Sequence, residues 1–278
     1  MLQKYKFIDN LGVHDLQADI EDFFRNIKTV NATDPFNPDT YFPVRLATRV
    51  KRKVTKKVKG VNTLVNNDLY KKFETFFNKY KNLGAAKATV DTVFVNMNKI
   101  NRLLNNEQPR CCLSDLPISI QTEAKSLFIH LYENTLSSYG IKKHYESFCN
   151  QQQNRWCPFC GMETLEDYTF IKEDYDHLLA KSIYPLAAVN MRNLAPMGKK
   201  CNRTHKKDQD LIWDGTNQVK SMNPYIYKLD IEVDFTGTTL PNSKKKKGTW
   251  KLNVLPNRPD VRRWQEVFRI NERMTKDY

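Results

Sequence analysis

At 278 residues with 40% hydrophobic side chains, the chain is long enough for one large or two ordinary domains and apolar enough to build a core, which excludes a disordered chain. A formal net charge of +14, shared between residues 1–150 and 151–278, points to an anionic partner, nucleic acid first among them. No apolar run approaches the roughly 20 residues that cross a bilayer, and no signal-peptide core follows Met1–Lys6, so no membrane is expected and the compartment is the cytoplasm, where the six cysteines are thiols or metal ligands rather than disulfides.

Residues Asp15 to Ile27 place Leu16, Ile20, Phe23, Phe24 and Ile27 at helical spacing, with acids early and Arg25 late, which predicts an amphipathic helix. The Asn-, Asp- and Pro-rich segment 31–43 reads as an irregular loop. From Arg45 to Lys59 the chain carries eight cations and no acid, with Lys51, Arg52 and Lys53 at the centre. A phosphate-contacting surface and a solvated basic strand or helix both fit that pattern. Three further helices are predicted, over 67–83 (Leu69, Phe73, Phe76, Phe77, Tyr80), 88–104 (Val90, Val93, Phe94, Met97, Ile100, Leu104) and 120–139 (Ala124, Phe128, Leu131, Leu136), each stripe most simply core. Cys111, Cys112 and the isolated His14, His130 and His144 read as structural residues.

The polar joint Gln151–Asn154 closes the helical part, residues 1–150, and the pattern then changes. Beyond a central block, Leu229 to Phe235 alternates apolar and acidic residues as a half-buried strand does. Gly237 and the lysine run Ser243 to Gly248 lead, hairpin-like, to a second strand-like segment, Thr249 to Leu255. Pro259 to Met274 forms a closing helix that buries Val261, Trp264, Val267, Phe268 and Ile270.

The central block carries the chemistry. Cys157-x-x-Cys160 puts two thiolates at a turn, half of a tetrahedral zinc site. A second pair of that spacing would need a cysteine at 198, which is Gly198. Cys201 and His205, four apart on a helix, offer another solution, so the expected ligands of a structural Zn2+ are Cys157, Cys160, Cys201 and His205. A metal-free site, or one completed by another residue, is the alternative.

Between these residues lie Tyr175-Asp176-His177, Lys181, Pro185, Asn193-Leu194 and Cys201-Asn202 through Lys206. In order and spacing they resemble the HNH, or ββα-metal, nuclease motif, and Tyr175 to Pro185 looks like the version found in bacterial HNH proteins, with Ala180 where proline is usual. The likeness spans residues 156–207. It implies an α+β fold in which a mainly helical region, 1–150, precedes an HNH nuclease domain, 151–278, with a C-terminal β-hairpin and helix. Residue by residue it implies Asp176 as a metal ligand, His177 as the general base, Asn193 as the asparagine that fixes the loop beside that histidine, and Asn202 as the second metal ligand. The third ligand position holds Lys206, whose ammonium cannot ligate; the chain thus resembles the Asp/Asn-ligated branch, which suits Mg2+ or Mn2+ better than zinc. Lys181, Arg203 and Lys206 are candidate phosphate clamps, with solvated surface cations as the alternative.

The activity implied is metal-dependent hydrolysis of phosphodiester bonds in DNA, leaving 5′-phosphate and 3′-hydroxyl ends. Similar proteins act in restriction and antiviral defence, often under a partner such as an ATPase. An RNase using the same site is one alternative, and a non-catalytic zinc-stapled nucleic-acid-binding module another. Asp176, His177 and Asn202 argue against the latter, because binding alone needs none of them. The helical region is expected to bind DNA, a partner subunit or a second copy of the chain.

Overall fold

In the computed structural model, which describes residues 2–9, 11–58, 61–152, 154–169, 175–226, 229–241, 248–249 and 251–276, the first apolar stripe becomes helix α1 (Asp15–Ile27) and buries all five of its predicted core residues. The lysine run at 243–247 lies outside the described residues. Segment 31–43 is not wholly irregular. Asn37 accepts from the Asp39 N–H at 3.1 Å and Pro38 sets the first φ of a one-turn helix, α2 (Pro38–Tyr41). The basic segment divides at Arg52. Before it, α3 (Val44–Lys51) buries Leu46, Ala47 and Val50; after it, β1 (Lys53–Val58) pairs antiparallel with β2 (Val61–Asn66), Lys53 opposite Asn66.

Helix α4 (Asp68–Lys81) starts where Asn67 accepts from the Tyr70 N–H at 2.8 Å, and it buries the predicted Leu69, Phe73, Phe76, Phe77 and Tyr80. The stretch 88–104 is two helices, α5 (Lys87–Met97) and α6 (Ile100–Leu104). Asn98 causes the break: its side-chain amide donates back to Phe94 O at 3.0 Å and outward to Leu186 O at 3.1 Å, and Lys99 leaves the helical conformation. Helix α7 (Ile118–His130) continues into a π-helical turn, Leu131–Thr135, and a tight turn ending at Tyr139. Gly140, at φ +92°, then starts α8 (Ile141–Gln151). The apolar pattern does not announce α8, because its buried face includes His144, Tyr145 and Cys149 beside Ile141 and Phe148.

Aromatic rings fill the space between these helices. Phe24 stacks on Phe94 with centroids 3.9 Å apart, and Phe23 stacks on Phe42 and meets Phe73 edge-on. Further on, β3 (Tyr175–His177) pairs antiparallel with β4 (Leu194–Pro196), and a π-helical turn, Lys200–Lys206, follows. The predicted C-terminal hairpin pairs over three residues on each side, β5 (Glu232–Asp234) with β6 (Asn253–Leu255). The closing helix buries its predicted residues but breaks at Arg269, φ +50°, into α9 (Pro259–Phe268) and α10 (Ile270–Lys276). Helices with small antiparallel pairs make the α+β architecture that the sequence predicts.

Buried side chains from Leu2 to Ile270 form one cluster, so both parts of the chain share a core. Tyr5 N–H donates to Pro224 O at 2.6 Å, its hydroxyl donates to Trp156 O at 3.2 Å, and Leu113 N–H donates to Ile183 O at 2.9 Å. Helices α5 and α7 pack on the turn Pro185–Ala187. The helical part is therefore a wall of the central block. No helix among the described residues is long and apolar enough to cross a membrane.

Phe76 is fully buried among Phe23, Phe24 and Tyr80. Phe76→Ala should lower the unfolding free energy by about 3–5 kcal/mol in a urea titration; a loss below about 1 kcal/mol would show that this core closes over the gap.

Candidate functional site

Three residues per strand cannot hold a sheet together in water, and the β3–β4 pair is fixed instead by what surrounds it. Asp176 lies opposite Ala195 and His177 opposite Leu194. Asn193, fully buried, accepts at Oδ1 from Leu179 N–H (2.8 Å) and donates from Nδ2 to Leu179 O (3.1 Å) and Ala187 O (3.2 Å), while its own carbonyl accepts from Leu178 N–H (2.7 Å). One side chain thus ties the loop after His177 to the turn before β4.

His177 is 3% exposed, and its Nε2 lies 3.0 Å from Ala188 O. A carbonyl only accepts, so Nε2 carries the proton and the lone pair is on Nδ1. Burial pushes the imidazole down to about 3, so the ring is neutral near pH 7. Tyr132, from the π-helical turn after α7, packs edge-on against the ring at 4.4 Å and donates its hydroxyl to Tyr175 O at 2.7 Å.

Beside His177, the structure corrects one expectation. Lys206 is not a surface cation available to clamp phosphate: it is fully buried, with Nζ 2.9 Å from Asp176 Oδ2. The approach is a close contact of opposite charges. Burial raises the Asp176 carboxyl above its ordinary range, and Lys206 opposes that shift. The cause of the burial is the wide turn Lys200–Lys206, in which Lys207 N–H reaches back five residues to Asn202 O at 2.9 Å.

Asp176, His177, Asn202 and Lys206 line one open cleft of about 370 Å³ with Tyr132, Lys181, Arg203, Lys207 and Asp208. Lys181 pairs with Glu133 at 2.7 Å and lies over the Tyr132 ring; Arg203, Lys207 and Asp208 are exposed. Lys51, Arg52 and Lys53 are exposed elsewhere, at the junction of α3 and β1. Lys51 pairs with Asp39 and Lys53 with Asn66, and Arg52 lines a separate groove with Arg49, Lys56 and His130.

A second centre adjoins the first. Cys157, Cys160 and Cys201 are buried, with sulfurs within 4.8 Å of one another, and can hold a metal ion. The Cys157–Cys160 turn closes through Gly161 N–H to Cys157 O (2.8 Å) and Cys157 N–H to Glu163 O (2.7 Å), and Trp264 of α9 donates to Phe159 O. Hydrogen bonds from Cys157 and Cys201 hold the Cys160 thiol well below the usual range; burial pushes Cys157 up, and hydrogen bonding to its two neighbours pushes Cys201 up. Three such sulfurs are all thiolates only beside a cation. His205, the expected fourth ligand, lies outside this group, although its Nδ1 is buried without a hydrogen-bond partner. Arg273 of α10 instead reaches the cluster, with Nη1 3.2 Å from Cys201 Sγ and Nη2 2.7 Å from Glu163 Oε1.

The sequence gives no sign of Tyr132, Asp208 or Arg273; Glu163 leaves a trace, three residues after Cys160. No family model matches the chain, and neither the curated proteins nor the solved structures yield a match.

Lys206→Met would strand the Asp176 carboxylate without its cation. Unfolding stability in chelator should fall by about 3–5 kcal/mol, and adding Asp176→Asn should recover most of it. Losses that merely add in the double variant would show that the two charges do not interact.

Proposed function

We propose that this chain is a metal-dependent HNH-type endonuclease that hydrolyses phosphodiester bonds in DNA. The observation that carries the reading is the single cleft where Asp176, His177 and Asn202 meet among cations. A phosphodiester resists attack because it is anionic and its leaving alkoxide is poor, so a nuclease must generate a nucleophile and compensate charge on the leaving side. His177 meets the first need: with Nε2–H anchored on Ala188 O, its Nδ1 lone pair takes the proton of the attacking water. The new P–O bond forms as the bond to the 3′ oxygen breaks, which leaves a 5′-phosphate and a 3′-hydroxyl.

A divalent cation would meet the second need, with Asp176 and Asn202 offering oxygen donors in the same cleft. Asp176 and Asn202 would hold Mg2+ or Mn2+, which supplies Lewis acidity at the phosphate and the leaving oxygen. Lys181 and Arg203 line the same cleft and would contact the flanking backbone. Lys206 compensates Asp176 from within.

In this reading the cysteine cluster is a zinc staple. It joins the Cys157–Cys160 turn to the segment that carries Asn202, one residue after Cys201, and so positions a cleft residue without sharing its ion. A restriction or antiviral defence role, control by a partner such as an ATPase, and self-association belong to the same proposal.

His177→Ala should slow plasmid nicking in Mg2+ or Mn2+ by at least about 100-fold, with folding and DNA binding retained. Undiminished nicking would reject the base assignment, and cleavage of RNA alone would move the substrate from DNA to RNA. Cys157→Ser should lose bound zinc and melt at a lower temperature; elemental analysis that finds no zinc in the wild-type protein would reject the staple.

A further inference from the structure

Zinc in a structural site takes four protein ligands, and the cluster offers three sulfurs. Building upon the zinc staple proposed above, we propose that Glu163 supplies the fourth, its carboxylate taking the place that a cysteine at position 198 would fill. Gly198 lies where the second half of a four-cysteine site would begin, three residues before Cys201. A Cβ built on Gly198 would lie 2.0 Å from Glu163 Oε2, about the length of the bond from a cysteine Cβ to its sulfur. The carboxylate oxygen thus enters the space that a side chain at position 198 would take.

The rest of Glu163 is arranged for the role. Its backbone carbonyl accepts from Cys157 N–H at 2.7 Å, so the residue belongs to the Cys157–Cys160 turn. Arg273 holds Oε1 at 2.7 Å and leaves Oε2 directed into the Gly198 space. A carboxylate oriented through its second oxygen is the usual outer-shell arrangement for a metal ligand. The Arg273 guanidinium, also 3.2 Å from Cys201 Sγ, offsets part of the negative charge that three thiolates and a carboxylate bring to a divalent ion. Glu163 and His205 both lie outside the 4.8 Å group of sulfurs. Of the two, only Glu163 reaches into the Gly198 space, and binding the ion requires its carboxylate to turn toward the sulfurs.

The test is zinc affinity of the full-length protein, read by competition with a chromophoric chelator. Glu163→Ala should weaken zinc binding by more than the roughly 10- to 100-fold that loss of an outer-shell partner costs, and Arg273→Met should stay within that range. His205→Ala should leave affinity unchanged, and Gly198→Cys added to Glu163→Ala should restore it. Weakened binding on His205→Ala with none on Glu163→Ala overturns the assignment. Equal weakening by Glu163→Ala and Arg273→Met also overturns it, by reducing Glu163 to an ion-pair partner. Wild-type protein that carries no zinc removes the staple itself, an outcome separate from either.

Discussion

A buried carboxylate facing a buried ammonium is the constraint around which the central block is built. Removing both Asp176 and Lys206 from water costs several kcal/mol per ion before their attraction returns any of it, so the pair exists only because the chain around it is held rigidly. Its geometry explains the neighbouring irregularities. The turn Lys200–Lys206 widens to π-helical form and carries the long side chain of Lys206 inward, where it ends beside Oδ2 of a strand only three residues long. Asn193 then fixes the loop that follows that strand with three side-chain hydrogen bonds.

Two centres of different chemistry meet on that wide turn. Cys201 faces the sulfurs of Cys157 and Cys160, and Asn202 lines the cleft with Asp176 and His177. Soft thiolates and hard oxygen donors favour different ions, and adjacent residues of one turn carry the two donor types. The C-terminal helices belong to the sulfur centre, through Trp264 on Phe159 O and Arg273 on Cys201 and Glu163.

The helical part takes a share in the cleft that its sequence does not declare. Tyr132 packs on the His177 ring and Glu133 pairs with Lys181, both from the π-helical turn after α7. Tyr175 meets His144 of α8 at 2.5 Å, which accounts for a buried histidine as part of the interior. A wall made this way excludes water from one side of the imidazole and keeps it neutral.

The sequence by itself determined what depends on short-range periodicity and residue chemistry: the stripe of α1, the aromatic face of α4, the C-terminal hairpin pairing, and the local block in which Asp176, His177 and Asn202 share a cleft and Asn193 fixes the adjoining loop. It also marked Gly198 as the position where a second Cys-x-x-Cys pair would need a cysteine. Tertiary structure alone decided which way the long side chains turn. Lys206 reads as one more cation in a basic run, yet a wide turn buries it against Asp176. Arg273 meets Glu163 across 110 residues and Tyr132 meets Tyr175 across 43, separations at which no local pattern specifies a partner. Backbone periodicity fixes the face on which a residue lies, whereas packing against distant elements fixes what its charged end touches, and the chemistry of this site resides in those ends.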